Sequence, residues 1–307
     1  MLACDPRWTG EGVELELERS VVKVADDGGR LRSVLDACDG RSSVSELTSE
    51  FGPDAGYLVD ELLGLGALVD VEERWRRFHR TSANPAPVGR NITDAEVESM
   101  LGETYVPPHA LGTPISLEVK ESAVGGVARR RRSGRPGPEP RPLTWDELGT
   151  LLTVGYGRAD SGWLTVPSGG ALYPLVLDVL VRNRIGPLEP GIWWYDPWRG
   201  ELRETQRGRP EIEPLLVRHP VTDPLVARGD VILSVSAELA RPCRKYGARG
   251  YRFALMETGA VMQSLYLAGA ELGVPVRACG GYHDAGVHDL LGHADGVVCM
   301  LLLFLGA

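Results

Sequence analysis

Thr165-Val-Pro-Ser-Gly-Gly-Ala-Leu-Tyr-Pro174 is the stretch on which the reading of this chain turns. Ser168, Gly169 and Gly170 follow Pro167 and open a short helical turn that Pro174 must end. A hydroxyl N-cap followed by two residues without Cβ leaves backbone N–H groups bare, so a flat or anionic ligand can come close to the main chain. A plain tight turn is the commoner fate of a Gly-Gly pair, but the length of this stretch and its bracketing prolines make it more specific than a lone glycine motif. The segment that gives it meaning is Lys245-Tyr-Gly-Ala-Arg-Gly-Tyr-Arg-Phe253, a Lys and a Tyr set among arginines just before a long apolar run.

Around these motifs lies an ordinary globular composition: 307 residues, 43 % hydrophobic, with a net charge of −9. That length holds one large domain and one small one. The charge is unevenly placed. Residues 1–73 carry 17 acidic against 6 basic side chains, and the remainder is close to neutral. An acidic first domain argues against nucleic acid, whose phosphates need Lys and Arg. The five cysteines (Cys4, Cys38, Cys243, Cys279, Cys299) form no Cys-x-x-Cys pair, which reads as a reduced, cytoplasmic inventory. Leu2-Ala3-Cys4 is not taken as a lipoprotein box, since no charged and apolar segment precedes it. The apolar run from Val297 to Leu305 is far short of the ~20 residues a membrane helix needs and reads as a strand buried on both faces. No membrane partner is expected.

Along the chain, residues 1–73 form a first module. Alternation over Val13–Glu18 and Val21–Val24, broken at Asp26–Gly29, predicts a small hairpin. Helical spacing follows over 31–38, 44–51 and 55–63, with Ser43 and Glu46 as a capping box, and 64–70 ends the third helix and starts a strand. Residues 74–114 read as a linker and lead-in segment with one helix over 94–100, and 115–307 as the main domain. Residues 123–142, rich in Gly, Arg and Pro, read as partly mobile. Thr144 and Glu147 make a second capping box, opening a helix to about Val154. Strands are expected at 175–181, at 230–237 and after Val274, with a hairpin over 191–204. Residues 250–272 predict a long helix, apolar nearly all round, suited to a core or subunit interface.

Three further groups could carry chemistry. Arg129-Arg-Arg-Arg-Ser133-Gly-Arg135 is either a solvated basic loop or a phosphate cradle, since Arg forks pair with phosphate oxygens in two-pronged fashion. Lys245-Tyr246 is either two surface residues or a base and its partner. A lysine base needs partial burial or a neighbouring cation, and Arg244, Arg249 and Arg252 supply positive charge nearby. Gln263, on the apolar helix, must face solvent or find a partner, while Gly280-Gly281 is either a plain turn or a second approach to a phosphate. His283, His288 and His293 lack the i, i+4 spacing of a helical metal pair, so no metal site is expected. Trp193, Trp194 and Trp198 read as hairpin packing.

Taken together, the motifs resemble the SagB-type (McbC-like) azoline dehydrogenases, a branch of the flavin-dependent nitroreductase superfamily. The shared features run in order: the lead-in His79 of Arg77-Phe-His-Arg-Thr-Ser82, the Arg-Arg-Ser-x-Arg pattern of Arg131, Arg132, Ser133 and Arg135, then Pro-Ser-Gly-Gly-Ala-Leu-Tyr-Pro, the Tyr-Asp-Pro hairpin, and Lys-Tyr followed by Arg249-Gly-Tyr-Arg252. One departure is Pro136, where an aromatic residue often follows the last Arg. The resemblance implies an α+β fold, a central sheet flanked by helices, binding FMN. It implies that Arg131, Arg132, Ser133 and Arg135 hold the FMN phosphate, and that Pro167, Ser168, Gly169, Gly170 and Leu172 lie against the flavin, with Gln263, Gly280 and Gly281 nearby. Lys245 is implied as base and Tyr246 as its partner. The implied reaction is oxidation of a peptide thiazoline or oxazoline to the aromatic azole, on a precursor peptide first cyclised by a cyclodehydratase partner, in a homodimer whose cofactor sites are built from both chains. The first module resembles winged-helix, PqqD-like peptide-recognition elements, in which a leader peptide adds a strand to a sheet edge. Its −11 balance would repel an acidic leader and so favours docking or support. Two other function classes stay open: an NAD(P)H-dependent reductase of small nitro or quinone compounds, and a non-catalytic subunit of a biosynthetic complex.

Overall fold

The computed structural model describes residues 6–9, 11–17, 20–26, 30–38, 42–70, 76, 78–79, 121–134, 141–217, 229 and 231–306. Arg135, Cys4 and the helix expected over 94–100 lie outside the described residues.

The first unit is a three-stranded antiparallel sheet of β1 (Pro6–Trp8), β2 (Gly12–Leu17) and β3 (Ser20–Ala25), followed by helices α1 (Leu31–Ala37), α2 (Val44–Phe51) and α3 (Pro53–Gly64). Alternation sets its faces. Val13 and Leu15 are buried with Leu35, Leu47, Val59 and Leu62, while Glu14 pairs across the strands with Lys23 at 2.6 Å. The capping box at Ser43 is formed: its Oγ accepts from the Glu46 amide, and the Glu46 carboxylate accepts from the Ser43 amide. The third helix ends at the start of 64–70, as expected. Gly66 turns with a φ of 74°, and the amides of Ala67 and Leu68 both donate to Leu62 O, so this stretch closes the end of α3, and Leu68 makes only an isolated bridge.

The second unit is built on a six-stranded antiparallel sheet in the order β6-β5-β4-β7-β9-β8. Its strands are β4 (Leu175–Val181), β5 (Gly191–Asp196), β6 (Glu201–Arg207), β7 (Val231–Glu238), β8 (Val276–Cys279) and β9 (Val297–Leu305). The central strands have both faces covered, which is why they read as near-continuous apolar runs. Leu177, Val179, Leu233, Leu303 and Leu305 face one core, and Leu180, Ile232, Leu302 and Phe304 the other. The first core is roofed by α5 (Trp145–Tyr156) and α7 (Arg249–Leu272), and the second by α8 (Asp284–Leu291). Helix α7 lies close to its neighbours because small residues permit it. A Cβ on Gly155 would stand 2.8 Å from Leu265, and one on Gly269 would stand 2.6 Å from Val276. This is the α+β arrangement, a sheet flanked by helices, that the motif order implied.

Three short helices were not expected: α4 (Ala123–Arg130), α6 (Ala240–Tyr246) and α8. The segment read as partly mobile is ordered at α4 by its ends. Ser122 Oγ accepts from the Gly125 amide, and Arg129 and Arg130 complement the C-terminal dipole, which together outweigh two helix-weakening glycines. No helix of the described residues is long and apolar enough to cross a membrane.

Candidate active site

The Pro167–Pro174 stretch folds as a single 3₁₀ turn, Gly169–Ala171, held in an uncommon backbone state. Gly170, Ala171 and Tyr173 all have positive φ, at 66°, 55° and 46°. Two of these are not glycine, and such residues persist only where their surroundings over-determine them, at a cost of about 1–3 kcal/mol each. The Ser168 hydroxyl does not cap the turn as the sequence suggests. It reaches across the loop and accepts from the Tyr173 amide at 2.8 Å. Arg241 Nη1 donates to Leu172 O at 3.2 Å, and the Glu238 amide donates to Pro174 O at 2.9 Å. The Tyr173 ring is boxed by Tyr156, Trp163 and Trp198.

Lys245 and Tyr246 end α6 and aim at this loop. A Cβ placed on Gly170 would collide with the Tyr246 hydroxyl and stand 2.6 Å from Lys245 Nζ, so both polar ends converge on a backbone that only glycine leaves clear. Phe253 joins them: its ring meets Tyr246 edge-on at 4.8 Å and floors Gly169. A groove of about 550 Å³ opens here, lined by Leu172, Glu238, Ala240, Arg241, Arg244 and Lys245. Lys245 itself is exposed on the groove wall. Of the three arginines expected beside it, Arg244 shares the groove, while Arg249 and Arg252 are exposed at the start of α7 and do not line it. Glu46 of α2 is held below the usual carboxylate range by the Ser43 amide first, with the charge of Arg244 adding to it.

The arginine run is gathered at the other end of α7. Arg129 and Arg130 close α4, Arg131 is its C-cap, and Ser133 and Gly134 dock against β8. The Gly134 amide donates to Val276 O at 2.8 Å, and Arg277 Nη1 donates back to Gly134 O at 3.4 Å. Tyr266, on α7, ties this corner together. Its hydroxyl accepts from the Ala278 amide at 2.9 Å and lies 3.4 Å from Ser133 Oγ, while the Arg131 guanidinium sits 5.4 Å over its ring. Arg132 and Ser133 remain exposed, and Gly280, at the exit of β8, has open space where a Cβ would be. Gln263 is exposed one turn before Tyr266. Gly281 is bound to the opposite wall, its carbonyl accepting from Val217. Sequence reading missed Tyr266; its one signal is a polar-tipped aromatic on an otherwise apolar helix.

Thus two clusters exist, not one. The loop with Lys245, Tyr246 and Phe253 lies at the start of α7, and the arginine corner lies near its end, about 20 Å along the helix at 1.5 Å per residue. Near the start of α7, Phe78 packs edge-on to Tyr251 at 5.2 Å, and His79 Nδ1 lies 3.3 Å from the Tyr251 hydroxyl, so the lead-in segment docks beside the first cluster. Burial pushes the His79 imidazole down, with Asp284 pulling the other way. The described residues hold no group of His, Cys, Asp and Glu suited to a metal ion, and His293 instead pairs with the buried Asp178 at 2.9 Å.

This geometry agrees with what the chain is similar to. The nitroreductase family model matches residues 128–306, more than half of the chain, and the chain belongs to that family of oxidoreductases. A Methanocaldococcus jannaschii protein named as a nitroreductase, MJ1384, is 33 % identical over 175 residues, covering 57 % of this chain and 86 % of its own. Among solved structures, a chain of the Escherichia coli McbBCD microcin synthetase complex superposes with a TM-score of 0.60 at 20 % identity, covering 80 % of this chain and 97 % of that one. A nitroreductase-named structure from Anabaena variabilis gives 0.52 at 26 % identity, covering 60 % of this chain and 37 % of its own. FMN is the cofactor of the family, and the residues present fit it. Exposed guanidinium and hydroxyl donors at Arg132 and Ser133 suit a phosphate, and Gly170 presents exposed backbone beside the Tyr246 hydroxyl and Lys245 Nζ, where a flat ring could rest.

Proposed function

We propose that the protein is an FMN-dependent dehydrogenase that oxidises thiazoline or oxazoline rings in a precursor peptide to thiazoles or oxazoles. The observation that carries this reading is the convergence of Lys245 Nζ and the Tyr246 hydroxyl on the backbone of Gly170, beside an open groove. A reductase of small compounds needs no such base, whereas removal of the acidic proton next to the azoline carbonyl does. The microcin synthetase complex that shares the fold was solved with truncated pro-MccB17 bound, which supports a peptide in the groove.

Arg131, Arg132, Ser133 and Arg135 would hold the phosphate, and Pro167, Ser168, Gly169, Gly170 and Leu172 the ring, with Gln263 and Gly280 beside it. When bound, FMN supplies the two-electron acceptor that loss of a hydride from the azoline requires. Lys245 Nζ takes the ring proton, and Tyr246, whose ring lies 5.3 Å from that nitrogen, fixes its position. Gly170, with no side chain of its own, lets Lys245 and Tyr246 approach the backbone and so sets the distance of Lys245 from the ring. Because the two clusters sit at opposite ends of α7, each complete site takes its phosphate corner from one copy and its loop from another, in a homodimer. The acidic first unit serves as the docking element for the cyclodehydratase or precursor, and Glu46 of that unit feels the charge of Arg244 in the groove.

The test uses FMN-loaded protein on an azoline peptide, followed by mass spectrometry for loss of two hydrogens. Wild type converts the peptide, and Lys245→Ala keeps its flavin but slows by about 10²–10⁴-fold, the usual worth of a general base. Normal turnover by Lys245→Ala overturns the assignment of the base. A wild type inert on azolines whose flavin is bleached by NADPH and reoxidised by a nitro compound points instead to the activity that the MJ1384 name suggests.

A further inference from the structure

Glu257 is a carboxyl group in the wrong place for a structural role alone. It sits on α7 facing inward, 2 % exposed, between α5 and the diglycine loop. The Tyr156 hydroxyl donates to its Oε1 at 2.8 Å, and the same Tyr156 oxygen accepts from the Leu175 amide at 3.3 Å. Ser168 Oγ accepts from the Tyr173 amide and so ties the start of the loop to its end. One buried carboxyl therefore reaches, through Tyr156, the end of the segment that holds Gly170, Ala171 and Tyr173 at positive φ.

We infer that Glu257 is a positioning residue that anchors the end of the 168–175 loop through the Tyr156 hydroxyl and the Leu175 amide and so holds the loop in the conformation that seats the cofactor ring. The inference rests on the reading of that loop as the ring seat. Its physical basis is the cost of the loop itself: two non-glycine residues at positive φ need fixed partners, and an exposed loop has few. Among the described residues the Glu257 carboxyl is hydrogen-bonded to Tyr156 from α5 and forms no salt bridge. Burial pushes the carboxyl up, toward its neutral form. A neutral acid has a close isostere in glutamine, which makes the anchor testable.

Amide hydrogen exchange over residues 168–175 is measured in wild type, Glu257→Gln, Glu257→Leu and Tyr156→Phe, together with FMN affinity and the visible absorption of the bound flavin. Glu257→Leu and Tyr156→Phe exchange this segment at least about tenfold faster and bind FMN about tenfold more weakly, the effect of one lost buried hydrogen bond. Glu257→Gln restores exchange, affinity and band shape to near wild type. Unchanged protection of 168–175 in a folded Glu257→Leu overturns the inference, as does a Glu257→Gln as defective as Glu257→Leu. If Glu257→Leu does not fold, Tyr156→Phe decides by the same exchange readout. A wild type that takes up no FMN removes the proposed function instead, and exchange of the loop still decides whether Glu257 anchors it.

Discussion

Gly170 concentrates the residue-scale argument. Its φ of 66° and the lack of space for a Cβ beside Tyr246 and Lys245 are independent reasons for glycine. Gly170→Ala is therefore expected to destabilise the protein by more than about 1 kcal/mol and to displace Lys245 and Tyr246. Thermal melting checks the first effect, and loss of azoline turnover with flavin retained checks the second. If the variant melts and turns over as wild type does, the convergence at this residue is not what the site depends on. At this scale the motif was legible while its wiring was not. Ser168 stood out as a hydroxyl, but its partner is the Tyr173 amide rather than the turn it precedes. Tyr266 and Glu257 drew no attention, because what defines them, Ser133 and Ala278 for one and Tyr156 for the other, lies on other elements.

Elements were read well wherever their signals are local. Both capping boxes formed, and β4, β5, β7, β8 and β9 lie within a residue or two of their apolar runs, while the polar β6 runs three residues past the expected hairpin. The box at Thr144 has a measurable consequence. The Arg141 guanidinium, then the Thr144 amide, pull the Glu147 carboxyl down from 4.5 to about 2. A folded value below the unfolded one contributes stability that is present above about 4.5 and lost as pH falls toward 2. Melting temperature measured across that window should fall more steeply for wild type than for Glu147→Gln, and parallel curves would show that the pair contributes nothing. Elements were misread where a local signal was outvoted. Gly125-Gly126 hid α4, whose ends are capped by Ser122 and two arginines, and Pro242 hid α6.

For the whole molecule, the decisive feature is α7. Its face away from the sheet exposes Leu255 and Met256, at 44 % and 66 %, and Val154 on the neighbouring α5 is 40 % exposed. Apolar groups left uncovered on a packed helix pair mark an interaction surface. If the cofactor site is built from two copies across it, Leu255→Arg with Met256→Arg should give a monomer by sedimentation that has also lost its bound flavin. A monomeric variant that keeps stoichiometric FMN would mean each chain holds its cofactor alone. The apolar periods, the caps and the Lys-Tyr and Arg-Arg-Ser motifs were written in the chain itself, because helix, strand and cap depend on neighbours within a few residues. The separation of the two clusters by the length of α7, the Glu257–Tyr156 pair and the Tyr266 corner were decided only by tertiary structure. They arise where residues far apart in sequence share one buried space, and the chemical type of a residue does not say which distant partner will fill it.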